Sequence, residues 1–390
     1  MLLAVALSGG VDSSVAALRL NDGRRRLVGA THLIWPGSRC CSVEVLSRAE
    51  EVCRRLGIPY LQVDLEEEFR RRVVDDFVET YLAGRTPNPC VRCNRFVRFG
   101  AFFAALASRL TGLGLLAEGE ELELATGHYA RTVRTADGWF LAKGRDPVKE
   151  QSYMLHQVPA DVLPRLVLPL GESLKAEVVR EAEAAGLQSA RVKESQDACF
   201  VEGDYAEFLR ARTGREDLAG PGDIVDLSGR PLGRHRGVLR YTVGQRSGLG
   251  LGNGPWYVAR IQPEANRLVV ARREQAERSS FAVEGLNWFG EPPGRALECA
   301  VKLRYRSREA PCTVEPGAEA RYGGAEARYG GAEARYGGAE ARYGGAEARY
   351  GGESPGRCRV TLRRAQVVTP GQSAVFYRGE LVLGGGVILP

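Results

Sequence analysis

The chain has 390 residues, 44% apolar and 26% charged, a balance that supports more than one packed core and excludes global disorder. At roughly 150 residues per domain it should hold two or three domains, and no apolar run reaches the ~18 residues of a membrane-spanning helix. Lys and Arg number 54 against 48 Asp and Glu, a net +6 that permits a nucleic-acid partner without establishing one.

The first segment, Met1-Leu2-Leu3-Ala4-Val5-Ala6-Leu7, has no basic region and reads as a buried strand, not a signal peptide, so a cytoplasmic protein is expected. Val11–Leu20 has helical spacing, Leu27–Leu33 reads as a strand, Val43–Leu56 as a helix stopped by Gly57, and Pro59–Val63 as a strand. Phe96–Leu110 is again helical, and Leu122–Ala125 is a strand running into Thr126-Gly127-His128. Strands alternating with helices predict an α/β domain with a doubly wound parallel sheet, its ligand site at the carboxyl ends of the strands.

The character changes near residue 200. From Gly220 onward glycines, β-branched residues and short polar turns dominate, and strands are expected at Glu298–Leu303, Cys358–Leu362, Ala374–Tyr377 and Leu381–Val387. The pattern predicts an α/β domain over 1–205, a small central β domain over 206–275, and a barrel-like domain over 276–390. Residues 318–352 are five copies of Ala-Glu-Ala-Arg-Tyr-Gly-Gly. Two glycines per unit cost about 1 kcal/mol each in a helix and no apolar seam exists, so a coiled coil is excluded. An expanded surface loop and a tyrosine-arginine array touching RNA both remain open.

Ala6-Leu7-Ser8-Gly9-Gly10-Val11-Asp12-Ser13-Ser14 follows a strand and opens a helix. Glycines there let backbone N–H groups approach an anion, the serines add donors, and the helix N-terminus favours negative charge. The Gly-Lys-Ser/Thr ending of a Walker loop is absent. Ser-Gly-Gly-Val-Asp-Ser resembles the phosphate loop of the ATP pyrophosphatases, which cleave ATP between its α and β phosphates and adenylate a substrate.

Nine cysteines are too few for a disulfide scaffold. In Thr86-Pro87-Asn88-Pro89-Cys90-Val91-Arg92-Cys93-Asn94-Arg95 the two prolines force extended chain, and a helix is expected from about Asn94. Cys93 would then lie at a helix N-terminus between Arg92 and Arg95, both effects favouring thiolate. Cys90 and Cys93 could also form half a zinc site, but no second pair stands at ligand spacing. Cys199, in Asp197-Ala198-Cys199-Phe200, would by itself pass for a small core residue. Two basic stretches suit phosphates: Arg230–Arg246, with five arginines and no acid, and Lys302-Leu303-Arg304-Tyr305-Arg306-Ser307-Arg308, whose alternation as a strand would put four cations on one face.

The phosphate loop, the Asn88–Asn94 segment, Ala125-Thr126-Gly127-His128-Tyr129, Lys149-Glu150-Gln151-Ser152-Tyr153 and the Cys199 segment occur in the order found in the tRNA-specific 2-thiouridylases, the MnmA family. The resemblance continues through Tyr241-Thr242-Val243-Gly244-Gln245-Arg246, Leu303-Arg304-Tyr305-Arg306 and Thr369–Tyr377, covering the chain apart from the repeat.

The resemblance implies ATP-dependent 2-thiolation of the wobble uridine of tRNA. The C2 carbonyl has no leaving group; adenylation of its oxygen creates one, and a cysteine persulfide then delivers sulfur. By the same resemblance Cys199 carries the persulfide and Cys93 is the nucleophile that helps release the sulfur, through a disulfide with Cys199 or equivalent hydrosulfide chemistry. Ala6, Leu7, Ser8, Gly9, Gly10, Val11, Asp12, Ser13, Leu33 and Gly127 would bind ATP with Mg2+, and Asn88, Pro89 and Cys90 would face the target base. His128, Lys149, Glu150, Gln151, Arg304, Tyr305 and Gln372 would touch tRNA, and a cysteine desulfurase or relay protein would supply the persulfide. The family more often has Asp at positions 90 and 150. Cys90 adds a third thiol, so Cys90, Cys93 and Cys199 as ligands of a 4Fe–4S cluster stay an alternative. So do an adenylating amide ligase, which would not need the thiols, and an RNA-binding protein with an inactive nucleotide site.

Overall fold

A computed structural model describes residues 1–35, 42–191, 198–317 and 356–390. Residues 36–41, 192–197 and 318–355, the last including the repeat, lie outside the described residues. Apolar, β-branched runs near the N-terminus form the strands β1 (Leu2–Ala6), β2 (Arg26–Leu33), β3 (Tyr60–Asp64) and β4 (Leu122–Ala125). A hairpin follows, β5 (Ala130–Thr135) and β6 (Gly138–Lys143), and then the short β7 (Leu166–Val167). Strands β1 to β4 and β7 make one wholly parallel sheet in the order β3-β2-β1-β4-β7. Every residue of β1 is buried, as a strand covered by helices on both faces must be. The order reverses between β1 and β4, so the carboxyl ends of these two strands open a crevice there.

The second sheet is small and mixed: β8 (Gly222–Val225), β9 (Pro231–His235), β10 (Tyr257–Gln262) and β11 (Arg267–Ala271) in the order β10-β11-β8-β9, with β8 and β11 parallel. The third contains β12 (Glu277–Trp288), β13 (Leu297–Lys302), β14 (Ala310–Pro316), β15 (Cys358–Val367), β16 (Ser373–Arg378) and β17 (Leu381–Ile388). These six antiparallel strands close on themselves through β12 and β17. Strands β14 and β15, which flank the repeat in sequence, pair with Pro316 opposite Cys358.

The α/β class and the barrel-like last domain are as expected, but four local expectations need correction. The hairpin β5–β6, unread in the sequence, leaves the parallel sheet and joins the barrel, with Leu381 opposite Ala142. Strand β14 also went unread, because Pro311 and Pro316 disguise it. The Lys302–Arg308 stretch is not a strand face: β13 ends at Lys302, and Arg304 and Ser307 close a turn with Ser307 N–H on the Arg304 carbonyl. Finally, the cysteine helix begins at Pro89, not near Asn94. The Asn88 side chain caps it by accepting from Val91 N–H, and Pro89 occupies the first helical position, where a missing N–H costs nothing. The helix runs on through wide, π-type turns over Cys93–Ala101 to Phe102–Gly112.

Three polar seams bind the barrel to the parallel-sheet unit. Asn287 Nδ2 donates to the carbonyls of His156 and Val158, and Gln157 Nε2 donates to those of Gly285 and Gly385. Gln372 Nε2 reaches the carbonyls of Thr86 (3.3 Å) and Pro87 (3.0 Å), while Thr86 N–H bonds to Pro370 O. The chain entering the cysteine helix is therefore held from the barrel. Gln372→Glu, which cannot donate, should destabilise the protein by about 1–3 kcal/mol in urea unfolding. It should also speed alkylation of Cys90; unchanged stability would show that the seam carries no weight.

Candidate active site

Strand β1 delivers the phosphate loop at the crevice. Gly9 has φ +64°, and a Cβ there would lie 2.5 Å from the Val45 carbonyl oxygen, so only glycine fits. A Cβ on Gly127, just past β4, would come within 2.6 Å of the Asp12 backbone, bringing the end of β4 onto the first turn of Val11–Leu20. Ser13 Oγ bonds to the Gly10 carbonyl and accepts from Ser8 N–H, which shapes the loop, while Ser8 stays exposed. Asp12 holds Lys175 Nζ at 2.7 and 2.8 Å from its two oxygens and accepts from Tyr129 Oη at 2.7 Å. Lys175 thus brings a cation to the loop from the start of helix Lys175–Ala184. Sequence reading missed it, for want of any local motif.

Tyr129 links this corner to the next loop. Its N–H donates to Gln151 Oε1, and Gln151 N–H returns a bond to the Tyr129 carbonyl. Asp146 gathers the N–H groups of Val148, Lys149 and Lys175, so one carboxylate shapes the 146–151 loop and caps the helix that carries Lys175. Glu150 is buried, accepts from Ser152 N–H and lies 3.7 Å from Lys302 Nζ.

A cleft of about 920 Å³ joins these parts. Its walls include Leu7 and Ser8, then Pro89, Cys90 and Cys93, then His128, Lys149, Glu150 and Gln151, then Cys199, and finally Lys302, Tyr305 and Arg306 from the barrel. All three cysteines singled out in the sequence therefore share one cavity. Cys90 is exposed on its wall, Cys93 is 9% exposed, and Cys199 is intermediate. Cys199 is anchored by its neighbour Phe200, whose ring packs edge-on against Phe77 at 5.1 Å and Phe69 at 5.6 Å.

Other expected residues lie elsewhere. At the end of β2 the wall is made by Thr31, His32 and Ile34, with Leu33 between them outside the lining. Arg304 turns away, donating to Thr369 Oγ1, which in turn donates to the Val243 carbonyl, and so ties the barrel to the small β sheet. Gln372 acts on the 86–87 carbonyls, and Asn88 caps the helix. In the basic stretch Arg230–Arg246, Arg230 pairs with Asp226 and Arg240 with Asp204.

The positive charge that faces Cys90 comes from a third arginine of the same helix. Arg92 pairs with Asp76 and Arg95 bonds to Gln157, and both guanidinium groups lie over the Phe96 ring. Arg98 faces the cleft instead. Cys90, Asn94 and Arg98 form an i, i+4, i+8 stripe, and Arg98 Nη1 donates to Asn94 Oδ1 at 2.6 Å. Arg98 also lies 3.3 Å from His128 Nε2, which must accept from it, so the other ring nitrogen carries the proton and donates to Thr126 Oγ1 at 2.7 Å. Among the described residues no carboxylate lies within ion-pair distance of Arg98. The site keeps an uncompensated cation ready for an anion.

Burial, followed by the Arg98 charge, holds His32 and His128 down at about 3. Crowding in the cleft pushes the Cys90 thiol up against the opposing pull of Arg98. Arg98→Gln should therefore move the pH profile of Cys90 alkylation to higher pH in a Cys93→Ser, Cys199→Ser background, with Arg98→Lys showing the smaller shift. An unchanged profile would remove Arg98 from the electrostatics of the site.

The buried His156 lies at about 4, lowered by burial. For His32 and His156 the folded pKa is below the unfolded value of 6.5, so the unfolded chain binds more protons as pH falls through 6.5. Stability should be flat above that pH and fall below it, by up to about 1.4 kcal/mol per pH unit for each histidine. Urea unfolding at pH 7.5 and 5.5 checks this. His156→Gln should reduce the difference.

A phosphate loop at the switch point of a doubly wound sheet, a thiol-lined cleft beside it and an appended barrel define an ATP-pyrophosphatase-type enzyme built for cysteine chemistry. Residues 1–203 match the family model described as tRNA methyl transferase HUP domain. Residues 206–272 match the tRNA methyl transferase PRC-barrel domain, and 342–388 the aminomethyltransferase beta-barrel domain. The chain is 43% identical to a tRNA-specific 2-thiouridylase MnmA of Acidithiobacillus ferrooxidans over 98% of its own length and 97% of the relative's. It is 41% identical to that of Chloroflexus aurantiacus, again over 98% and 97%. For Carboxydothermus hydrogenoformans the identity is 39%, over 98% and 96%. The chain belongs to the tRNA-specific 2-thiouridylase family.

Proposed function

We propose that the protein is an ATP-dependent sulfurtransferase that 2-thiolates the wobble uridine of tRNA, with residues 1–205 catalytic, 206–275 a central β domain and 276–390 a tRNA-binding barrel. The observation that carries the chemistry is the shared cleft: Ser8 of the phosphate loop, Cys93 and Cys199 line one cavity, so a base adenylated there is within the space that both thiols face.

Ala6–Ser13 and Gly127 hold ATP, with Lys175 supplying positive charge to the phosphates. Both oxygens of Asp12 bond to Lys175, so the Mg2+ implied with ATP finds no open carboxylate in this loop. The uracil O2 attacks the α phosphate and pyrophosphate leaves. The terminal sulfur of a Cys199 persulfide then attacks C2 and AMP departs, its charge facing Arg98. The Cys93 thiolate attacks the Cys199 sulfur, leaving thiouridine and a Cys93–Cys199 disulfide, which two thiols reduce by successive exchange, themselves ending as a disulfide. Lys149, Tyr305 and Arg306 at the cleft meet the tRNA backbone. Three thiolates would have to converge to hold a 4Fe–4S cluster. Among the described residues no three of His, Cys, Asp or Glu gather to hold a metal, so Cys90, Cys93 and Cys199 as placed do not fit one.

The test is mass spectrometry of tRNA nucleosides after incubation with ATP and a persulfide source. Thiouridine should appear with the wild type and vanish with Cys93→Ser or Cys199→Ser; an amide ligase would lose nothing. Asp12→Ala should abolish pyrophosphate exchange while tRNA affinity stays within about threefold, since phosphate and RNA use different surfaces. Equal loss of both would overturn the assignment. Deleting 325–352, four whole repeat units, should leave fold and thiolation intact, because loop-closure entropy changes only with the logarithm of length; a large loss of tRNA affinity without unfolding would establish the RNA-touching array.

A further inference from the structure

A second pair of thiols lies away from the cleft, in the barrel. Cys299 on β13 and Cys312 on β14 stand directly opposite each other in the antiparallel register, and their sulfurs are 3.6 Å apart. Opposed residues in such a ladder have Cα atoms about 4.5–5.5 Å apart, inside the window that a disulfide needs. Both are free thiols with unequal surroundings: Cys312 is fully buried and Cys299 partly exposed. The contact between the two sulfurs lowers the Cys299 thiol and raises that of Cys312; the Arg378 charge adds to the lowering and burial to the raising. An accessible, more acidic thiol backed by a buried, less acidic one is the arrangement in which the first attacks and the second resolves. Cys358, on the next strand, faces Pro316 and not Cys312, so it is out of register for the same bond.

The pair has a mechanical setting. Strands β13 and β14 are the two arms of a hairpin, and the connection over 303–309 carries Tyr305, Arg306 and Ser307 to the cleft wall. A bond between 299 and 312 would join the two arms at the middle of their ladder, two pairs from the connection.

We propose that Cys299 and Cys312 form a redox-active dithiol that closes reversibly into a disulfide and clamps the hairpin walling the cleft. The oxidant is a low-molecular-weight disulfide. The Cys299 thiolate attacks one of its sulfurs, the S–S bond breaks, and one small thiol leaves. Cys312 then gives up its proton and attacks the Cys299 sulfur, releasing the second small thiol. Two electrons and two protons pass from the protein to the small disulfide, and a dithiol reductant reverses the exchange. None of this depends on the thiolation reaction.

The experiment uses the full chain carrying Cys93→Ser and Cys199→Ser, so that cleft oxidation cannot contribute. It is equilibrated with oxidised glutathione, alkylated and digested with trypsin. The linked peptides 296–302 and 309–321 should appear and should separate after dithiothreitol. Hydrogen exchange over 303–309 should be slower in the oxidised form, and Cys299→Ser should abolish both effects. A stable glutathione adduct on Cys299 with Cys312 alkylated, a link to Cys358 instead, or two unreacted thiols would each overturn the dithiol. A linked pair with unchanged exchange over 303–309 would overturn the clamp.

Discussion

The active cleft exists because the barrel is held in hydrogen-bonded contact with the parallel-sheet unit. Its walls come from both: Ser8, Cys90, Cys93 and Cys199 from one side, Lys302, Tyr305 and Arg306 from the other. The junction is polar and directional. Asn287 and Gln157 each hold two backbone carbonyls across it, Gln372 holds two more, and hairpin β5–β6 continues the barrel sheet. Buried amides left without these partners would each cost on the order of 1–3 kcal/mol, so the seam fixes one orientation and not a range of them.

Several side chains in the motifs serve the site by positioning it. Asn88 caps the cysteine helix, Gln372 fixes the chain that enters it, Gln151 locks Tyr129 against the phosphate loop, and Asp146 joins the 146–151 loop to the Lys175 helix. Within the cleft, the partners of Arg98 among the described residues are neutral acceptors, Asn94 Oδ1 and His128 Nε2. The burial that keeps His128 uncharged also leaves its Nε2 free to accept from the guanidinium, so none of the described carboxylates compensates the cation. A site that receives the negative charges of the proposed reaction benefits from that imbalance.

The two sets of cysteines differ in a physically sensible way. Those of the cleft come from separate elements, Cys90 and Cys93 from one helix and Cys199 from the segment before Phe200, and face one cavity. Cys299 and Cys312 sit on adjacent strands whose register already sets their sulfurs side by side. The first arrangement suits transfer of a sulfur atom. The second suits a bond between the two residues themselves.

Local sequence was enough for whatever depends on local rules. The buried run of β1, the glycine turn of the phosphate loop, the helix after it and the alternation that makes a parallel sheet follow from periodicity and backbone freedom. The ordered motifs carried the family, and with it the cysteines. Tertiary structure decided the rest, because it depends on which distant groups meet. Lys175 reaches Asp12 across 163 positions, and no local pattern marks it. Arg98 faces Cys90, because the helix begins at Pro89 and its facing stripe runs through residues 90, 94 and 98. The basic alternation at 302–308 became a turn once β13 ended at Lys302, and Arg304 left the expected RNA face for Thr369. Alternation of charge specifies a face only if the chain is extended, and here packing against the cleft, not the sequence pattern, determined whether it would be.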